Sequence, residues 1–185
     1  SQGCSSCPPV DALLEKLAKR DDVIALALHV DYWDYIGWAD IFADPKFTQR
    51  QRSYARAAGH RSIFTPQLII GGTSHIVGNK PMEIADAISE HNGRAVNVDL
   101  QVTRDGNRVD MSATWVGLEK FRGRMVVQLV QYEPQKSVKI TRGENAGNTI
   151  NYANIVTLWK PVGTWDGRAT KRFRFEVADD DQPLA

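Results

Sequence analysis

Gly3-Cys4-Ser5-Ser6-Cys7-Pro8-Pro9 holds both cysteines of a 185-residue chain. At this spacing, and followed by a helical pattern, the two thiols fall on one helical turn with the first at or near its N-cap. There the helix dipole and the unpaired N–H groups favour a thiolate over a thiol. That is the arrangement a dithiol redox centre needs: an outer thiolate attacks a disulfide, and an inner thiol resolves the mixed intermediate. Cys4 is expected to be the more exposed sulfur and the first to ionise.

Three other readings compete. As a structural crosslink, a disulfide closing so short a loop removes little unfolded-state entropy, roughly 2 kcal/mol, and ties nothing distant together. As a metal site, the thiolate pair would bind Cu(I), or Zn²⁺ with two further ligands. Only His29, His60, His75 and His91 are available for that, and none has the paired spacing of a zinc finger. The third reading is two inert buried thiols. Dithiol chemistry is favoured, and it implies no cofactor.

Charge and hydropathy narrow the field. With 23 basic and 22 acidic residues the net charge is +1, so there is no electrostatic case for nucleic acid or a membrane surface. No apolar run approaches membrane-spanning length. Two cysteines are too few for a disulfide framework. A chain opening at Ser1 is expected to have been processed or cut upstream.

Beyond Cys7, Val10, Leu13, Leu14, Leu17 and Ala18 recur at helical spacing. Pro8 is tolerated in a first turn, whereas Pro9 lies deeper. Val23 to Val30 is a near-continuous apolar run of strand length, expected to be buried and parallel to a neighbour. Asp31 to Phe42 carries five aromatics and no cation and reads as a long loop leaving that strand, placing Trp33 or Trp38 beside the dithiol. Asp44-Pro45 starts a second helix, stopped by Gly59. Lys46, Arg50, Arg52 and Arg56 occur in it without an acid, which suits an acidic partner or nucleic acid. Complementarity with the acidic loop just before it is the expected explanation. Thr65-Pro66 opens an apolar strand where proline is tolerated, Gly71-Gly72 turns a hairpin, and Asn79 is expected to cap a third helix with Pro81 in its first turn.

CxxC, helix, strand, loop, helix, Thr-Pro, hairpin and helix, in that order, resemble the thioredoxin fold. The resemblance implies that Cys4 is the nucleophile, Cys7 the resolver, and Thr65-Pro66 the cis-proline segment facing the dithiol, with Thr65, Trp33 and Trp38 on the substrate side. More closely, SQGCSSCPP, HVDYWDYIGW, TPQLIIGG and RGENAG resemble an uncharacterised bacterial family of secreted, thioredoxin-like proteins, which implies a secreted or periplasmic location. Such folds carry a strand directly before the CxxC. Three residues cannot supply it, so it was cut away, lies elsewhere, or is replaced by another segment.

After Gly93 the texture becomes strands alone: Val96–Thr103, Arg108–Trp115, Arg124–Tyr132, Ser137–Thr141, Asn154–Trp165 and Thr170–Val177. Arg104-Asp105-Gly106-Asn107 is a hairpin turn. Arg142 to Asn148 is a turn tract, weak as a phosphate cradle because no helix follows it. Asp179-Asp180-Asp181 reads as a frayed tail. The expectation is therefore an α/β thioredoxin-like domain over 1–92 followed by an antiparallel β-sandwich over 95–178. The expected activity is thiol–disulfide exchange with a disulfide-containing protein or small molecule and a redox partner. The rival readings are a Cu(I)-binding protein using the dithiol, and a binding module for which the dithiol is a redox switch.

Overall fold

The computed structural model describes residues 1–177. The expected acidic tail at 179–181 lies outside them. The chain forms a mixed α/β structure with several small antiparallel sheets, grouped into two compact units. One comprises Ser1–Gly93 with Tyr132–Thr157, the other Arg94–Gln131 with the chain from Leu158 on. This differs from the linear division near Gly93, because residues 132–157 belong with the cysteine-bearing segment.

In the first unit, helix α1 (Pro8–Leu17) has prolines at its first two positions, where no intrahelical partner is lost. Its apolar face, Leu13, Leu14 and Leu17, packs with Ala25, Ile76, Ile84 and Ile88 into one core cluster. That cluster joins α1 to the hairpin β1 (Gln67–Ile70) and β2 (Ser74–Val77) and to helix α3 (Pro81–Asn92). The hairpin turn has positive φ at both Gly71 and Gly72, and a Cβ at Gly71 would lie 2.2 Å from His91 Nδ1. The close ring adds a steric reason for glycine to the conformational one. Lys80, not Asn79, is the N-cap of α3, and Pro81 takes the first helical position. Helix α2 (Pro45–Ala57) begins as expected, with the Asp44 carboxylate accepting from the Lys46 N–H at 2.7 Å.

The expected strand Val23–Val30 does not form a regular strand; among the described residues it makes one β-bridge, the parallel pairing Ala27↔Ile155. Ala27 N–H donates to Asn154 O and Val156 N–H to Ala27 O, each at 2.9 Å. Asn154 has φ 47°, a left-handed value that asparagine tolerates. Its side-chain amide also donates to Ala25 O at 2.8 Å. The parallel neighbour thus comes from strand β6 (Thr149–Trp165), far along the chain. β6 pairs with β5 (Met125–Lys139). Ile150, Tyr152 and Ile155 of β6, with Ile140 just past β5, are buried against Trp38 and Phe42.

The second unit is built on a three-stranded antiparallel sheet in the order β3 (Val98–Asp105), β4 (Arg108–Trp115), β7 (Lys171–Glu176). Strict alternation along β4 buries Val109, Met111 and Ala113, and Met111 and Ala113 pack with Trp165 and Phe173. The separate runs Arg124–Tyr132 and Ser137–Thr141 are one strand, β5, that passes through Pro134. Proline is tolerated there because β5 has a neighbour on one side only.

Candidate functional site

Cys4 and Cys7 are joined in a disulfide with their Cα atoms 5.4 Å apart. Both are buried, at 2% and 4% exposure, so the expectation of an exposed Cys4 beside a covered Cys7 is not met in this oxidised state. The reason lies in where α1 begins. Cys7 is its N-cap, and Cys4 sits in the preceding turn, with Cys4 N–H on Ser1 O and Cys7 N–H on Cys4 O, both 3.2 Å. Pro8 and Pro9 remove two of the N–H groups a helix end normally presents. The Val10 and Asp11 N–H groups both go to Cys7 O. The polar neighbour of the Cys4 sulfur is instead the exposed Ser6 hydroxyl, at 3.5 Å.

Ser6 also approaches the Thr65 carbonyl at 3.5 Å, which brings the Thr65-Pro66 segment to the CxxC turn. The Thr65–Pro66 bond is cis, as the resemblance implies, and Pro66 is buried. The Trp33 indole N–H donates to Thr65 Oγ1 at 2.7 Å. A Cβ on Gly3 would lie 3.0 Å from Trp33 Cβ, so the absence of a side chain at Gly3 lets Trp33 seat against the residue that precedes Cys4. Trp38 reaches the same segment through its indole N–H, 2.7 Å from Gln2 Oε1. The structure therefore brings Cys4, Cys7, Thr65, Pro66 and Trp33 together, with Trp38 one residue further along the cysteine segment.

Behind the disulfide lies a buried polar cradle that sequence reasoning missed. Gln2 is fully buried. Its N–H donates to Asp40 Oδ2 at 2.7 Å, and its carbonyl accepts from Asn145 Nδ2 at 2.8 Å. The same Asn145 amide donates to Cys4 O at 3.0 Å. Asp40 Oδ2 is also 2.7 Å from His29 Nδ1, and the His29 ring meets Phe42 and Tyr152 edge-on. Burial works to raise the Asp40 carboxyl, but its bond to and charge interaction with His29, and the N–H groups of Phe42 and Gln2, outweigh this and hold it below the usual carboxylate range. The one available signal was the turn tract Arg142 to Asn148, whose Asn145 looks like an ordinary turn residue.

Asp11, on α1, is near enough to His29 and Asp40 for their charges to act on it. Its Oδ2 is covered and has no hydrogen-bond partner among the described residues. Burial pushes this carboxyl up, against the lowering effects of the Ser1 ammonium and His29, and the Asp40 charge adds to the rise. Tyr152 is likewise pushed up, by burial and then by the Asp11 and Asp40 charges, and stays neutral. A carboxyl raised on folding contributes stability below its unfolded pKa and loses that contribution as pH rises through the folded value. Asp11→Asn is therefore expected to stabilise the protein at pH 7 by about 1–2 kcal/mol, with the gain vanishing near pH 3. Urea midpoints at the two pH values check this, and a loss of stability at pH 7 would contradict it.

Among the described residues no group of three or more His, Cys, Asp or Glu is placed to hold a metal ion. Nor, among the described residues, is any helix long and apolar enough to cross a membrane.

Fold and site together define a mixed α/β protein with an oxidised CxxC at the start of its first helix. The chain belongs to the family described as "Protein of unknown function (DUF1223)", which it matches over residues 1–184. It is also similar to a crystal structure of an Agrobacterium tumefaciens protein solved as a structural genomics target. The two are 31% identical with a TM-score of 0.80, and the match covers 95% of this chain and 74% of that one. No curated protein matches the chain.

Proposed function

We propose that this protein is a thioredoxin-like thiol–disulfide oxidoreductase. The observation that carries the reading is the contact between Ser6, an exposed residue inside the CxxC turn, and the carbonyl of Thr65, which brings the cis-proline segment to the turn that holds the disulfide. In the reductive direction, the Cys4 thiolate attacks one sulfur of a substrate disulfide and displaces the other as a thiolate. The Cys7 thiolate then attacks the Cys4 sulfur, re-forming the Cys4–Cys7 bond and releasing the second substrate thiolate. Two electrons pass to the substrate, whose thiolates take up two protons, and a dithiol redox partner restores the reduced pair. Oxidation of a substrate dithiol is the same sequence reversed. A location outside the cytoplasm belongs to this reading, supported by the oxidised pair and the family resemblance.

The test is equilibration with graded glutathione redox buffers, followed by trapping of free thiols. A reversible transition between zero and two thiols is expected, and its midpoint tells reductase from oxidase. A pair that stays oxidised at every ratio, or reacts one thiol at a time, overturns the proposal.

A further inference from the structure

Two of the cations on α2, Arg52 and Arg56, are exposed, and Arg56 donates to the Ser53 hydroxyl of the same helix at 3.2 Å. Sequence reasoning assigned the charge of α2 to the acidic loop before it, but the bonds that the carboxylates of that loop accept come from groups other than Arg52 and Arg56. Asp31 accepts from the Thr48 hydroxyl, Asp34 from the Asp40 N–H, Asp40 pairs with His29, and Asp44 caps Lys46 N–H. Among the described residues no ion pair holds Arg52 or Arg56. Both are exposed, and four residues apart they share one stripe of the helix.

That stripe borders the disulfide's rim. Gln51, the residue before Arg52, accepts from Tyr32 OH at 3.2 Å and donates to Phe64 O at 2.7 Å, so α2 is bonded to the loop on one side and to the Thr65 segment on the other. Arg52 is within Coulombic reach of the Tyr32 hydroxyl. Beside Tyr32 are Trp33, and Tyr35 stacked on it with 80% of its surface exposed. Phe64, next to Thr65, is 49% exposed. An apolar rim at a reactive sulfur, flanked by two uncompensated guanidinium groups, suits a peptide that offers carboxylates next to its cystine.

Resting on the dithiol-exchange reading, we propose that Arg52 and Arg56 form a docking stripe that selects disulfide substrates carrying Asp or Glu beside the reacting cystine. The charges act on encounter, so the effect belongs in the second-order rate constant and is screened by salt.

The experiment measures that constant for three cystine peptides identical except for flanking Glu, Gln or Lys, at low and high ionic strength. For the unmutated protein the Glu peptide is expected to react about tenfold faster than the Lys peptide at low salt, with the ratio falling towards one at high salt. Arg52→Glu/Arg56→Glu should invert the preference. Lys16→Glu/Lys19→Glu, the same charge change at the far end of α1, should leave it in place. Exchange without charge preference, a preference indifferent to salt, or one equally altered by both double variants overturns this inference and leaves the oxidoreductase reading standing. No exchange with any peptide overturns both. The salt series on the unmutated protein decides the matter even if the charge-reversed variant fails to fold.

Discussion

Asn145→Asp is expected to lower the unfolding free energy by about 3–5 kcal/mol at pH 7, the scale for an uncompensated charge left in a protein interior. Asn145 is 4% exposed, and its side-chain amide donates to Gln2 O and to Cys4 O. A carboxylate has no N–H, so aspartate would turn negative oxygens towards two carbonyl oxygens, with water excluded from both. Asn145→Ala removes the donors without adding charge and should cost less, about 1–3 kcal/mol, because Cys4 O keeps the Cys7 N–H and Gln2 O is the carbonyl left unpaired. The two variants should also differ in pH response. Buried aspartate facing carbonyls has a raised folded-state pKa, so its penalty shrinks as pH falls and the protonated acid donates one hydrogen bond, while alanine is unaffected. Urea titrations at pH 7 and pH 4 check the order wild type, Ala, Asp and its narrowing in acid. An Asn145→Asp protein as stable as the parent at pH 7 would show that Asn145 does not hold the cysteine segment.

That a residue so placed went unrecognised in the sequence shows where legibility ends. The helices, the hairpin and the CxxC itself were readable because their signals are local. Apolar spacing marks Leu13, Leu14 and Leu17, Asp44-Pro45 marks a helix start, and two glycines mark a turn that needs two positive φ values. Long-range partners leave no such mark. The run Val23–Val30 has strand composition, but its ladder is one bridge to Ile155, set by the left-handed backbone at Asn154. The domain boundary is hidden for the same reason. Residues 132–157 read as a continuation of the strand-rich segment, yet Asn145, Asn154 and Tyr152 make their key contacts with Gln2, Ala25 and His29. Charge counting misled at α2, since carboxylates can bond to N–H groups, a hydroxyl and a histidine without pairing with Arg52 or Arg56.

The two cysteines are expected to fail differently. In dithiol exchange the attacking sulfur makes the first bond to substrate, and the resolving sulfur only releases it. Ser6 and the Thr65 carbonyl lie on the Cys4 side of the turn, whereas Cys7 is the N-cap from which α1 runs into the core. Cys4→Ser should therefore abolish attack, with exchange falling to the uncatalysed rate. Cys7→Ser should still attack, then stall as a mixed disulfide that non-reducing electrophoresis displays as adducts released by dithiothreitol. A Cu(I) site made of two thiolates has no such asymmetry, because loss of either ligand breaks the same coordination. Adducts from Cys7→Ser and none from Cys4→Ser support exchange with Cys4 as nucleophile. Adducts from Cys4→Ser alone would reverse the roles and make the N-cap sulfur the nucleophile. No adducts from either variant, with stoichiometric Cu(I) binding by the reduced parent lost equally in both, would replace the oxidoreductase with a metal carrier.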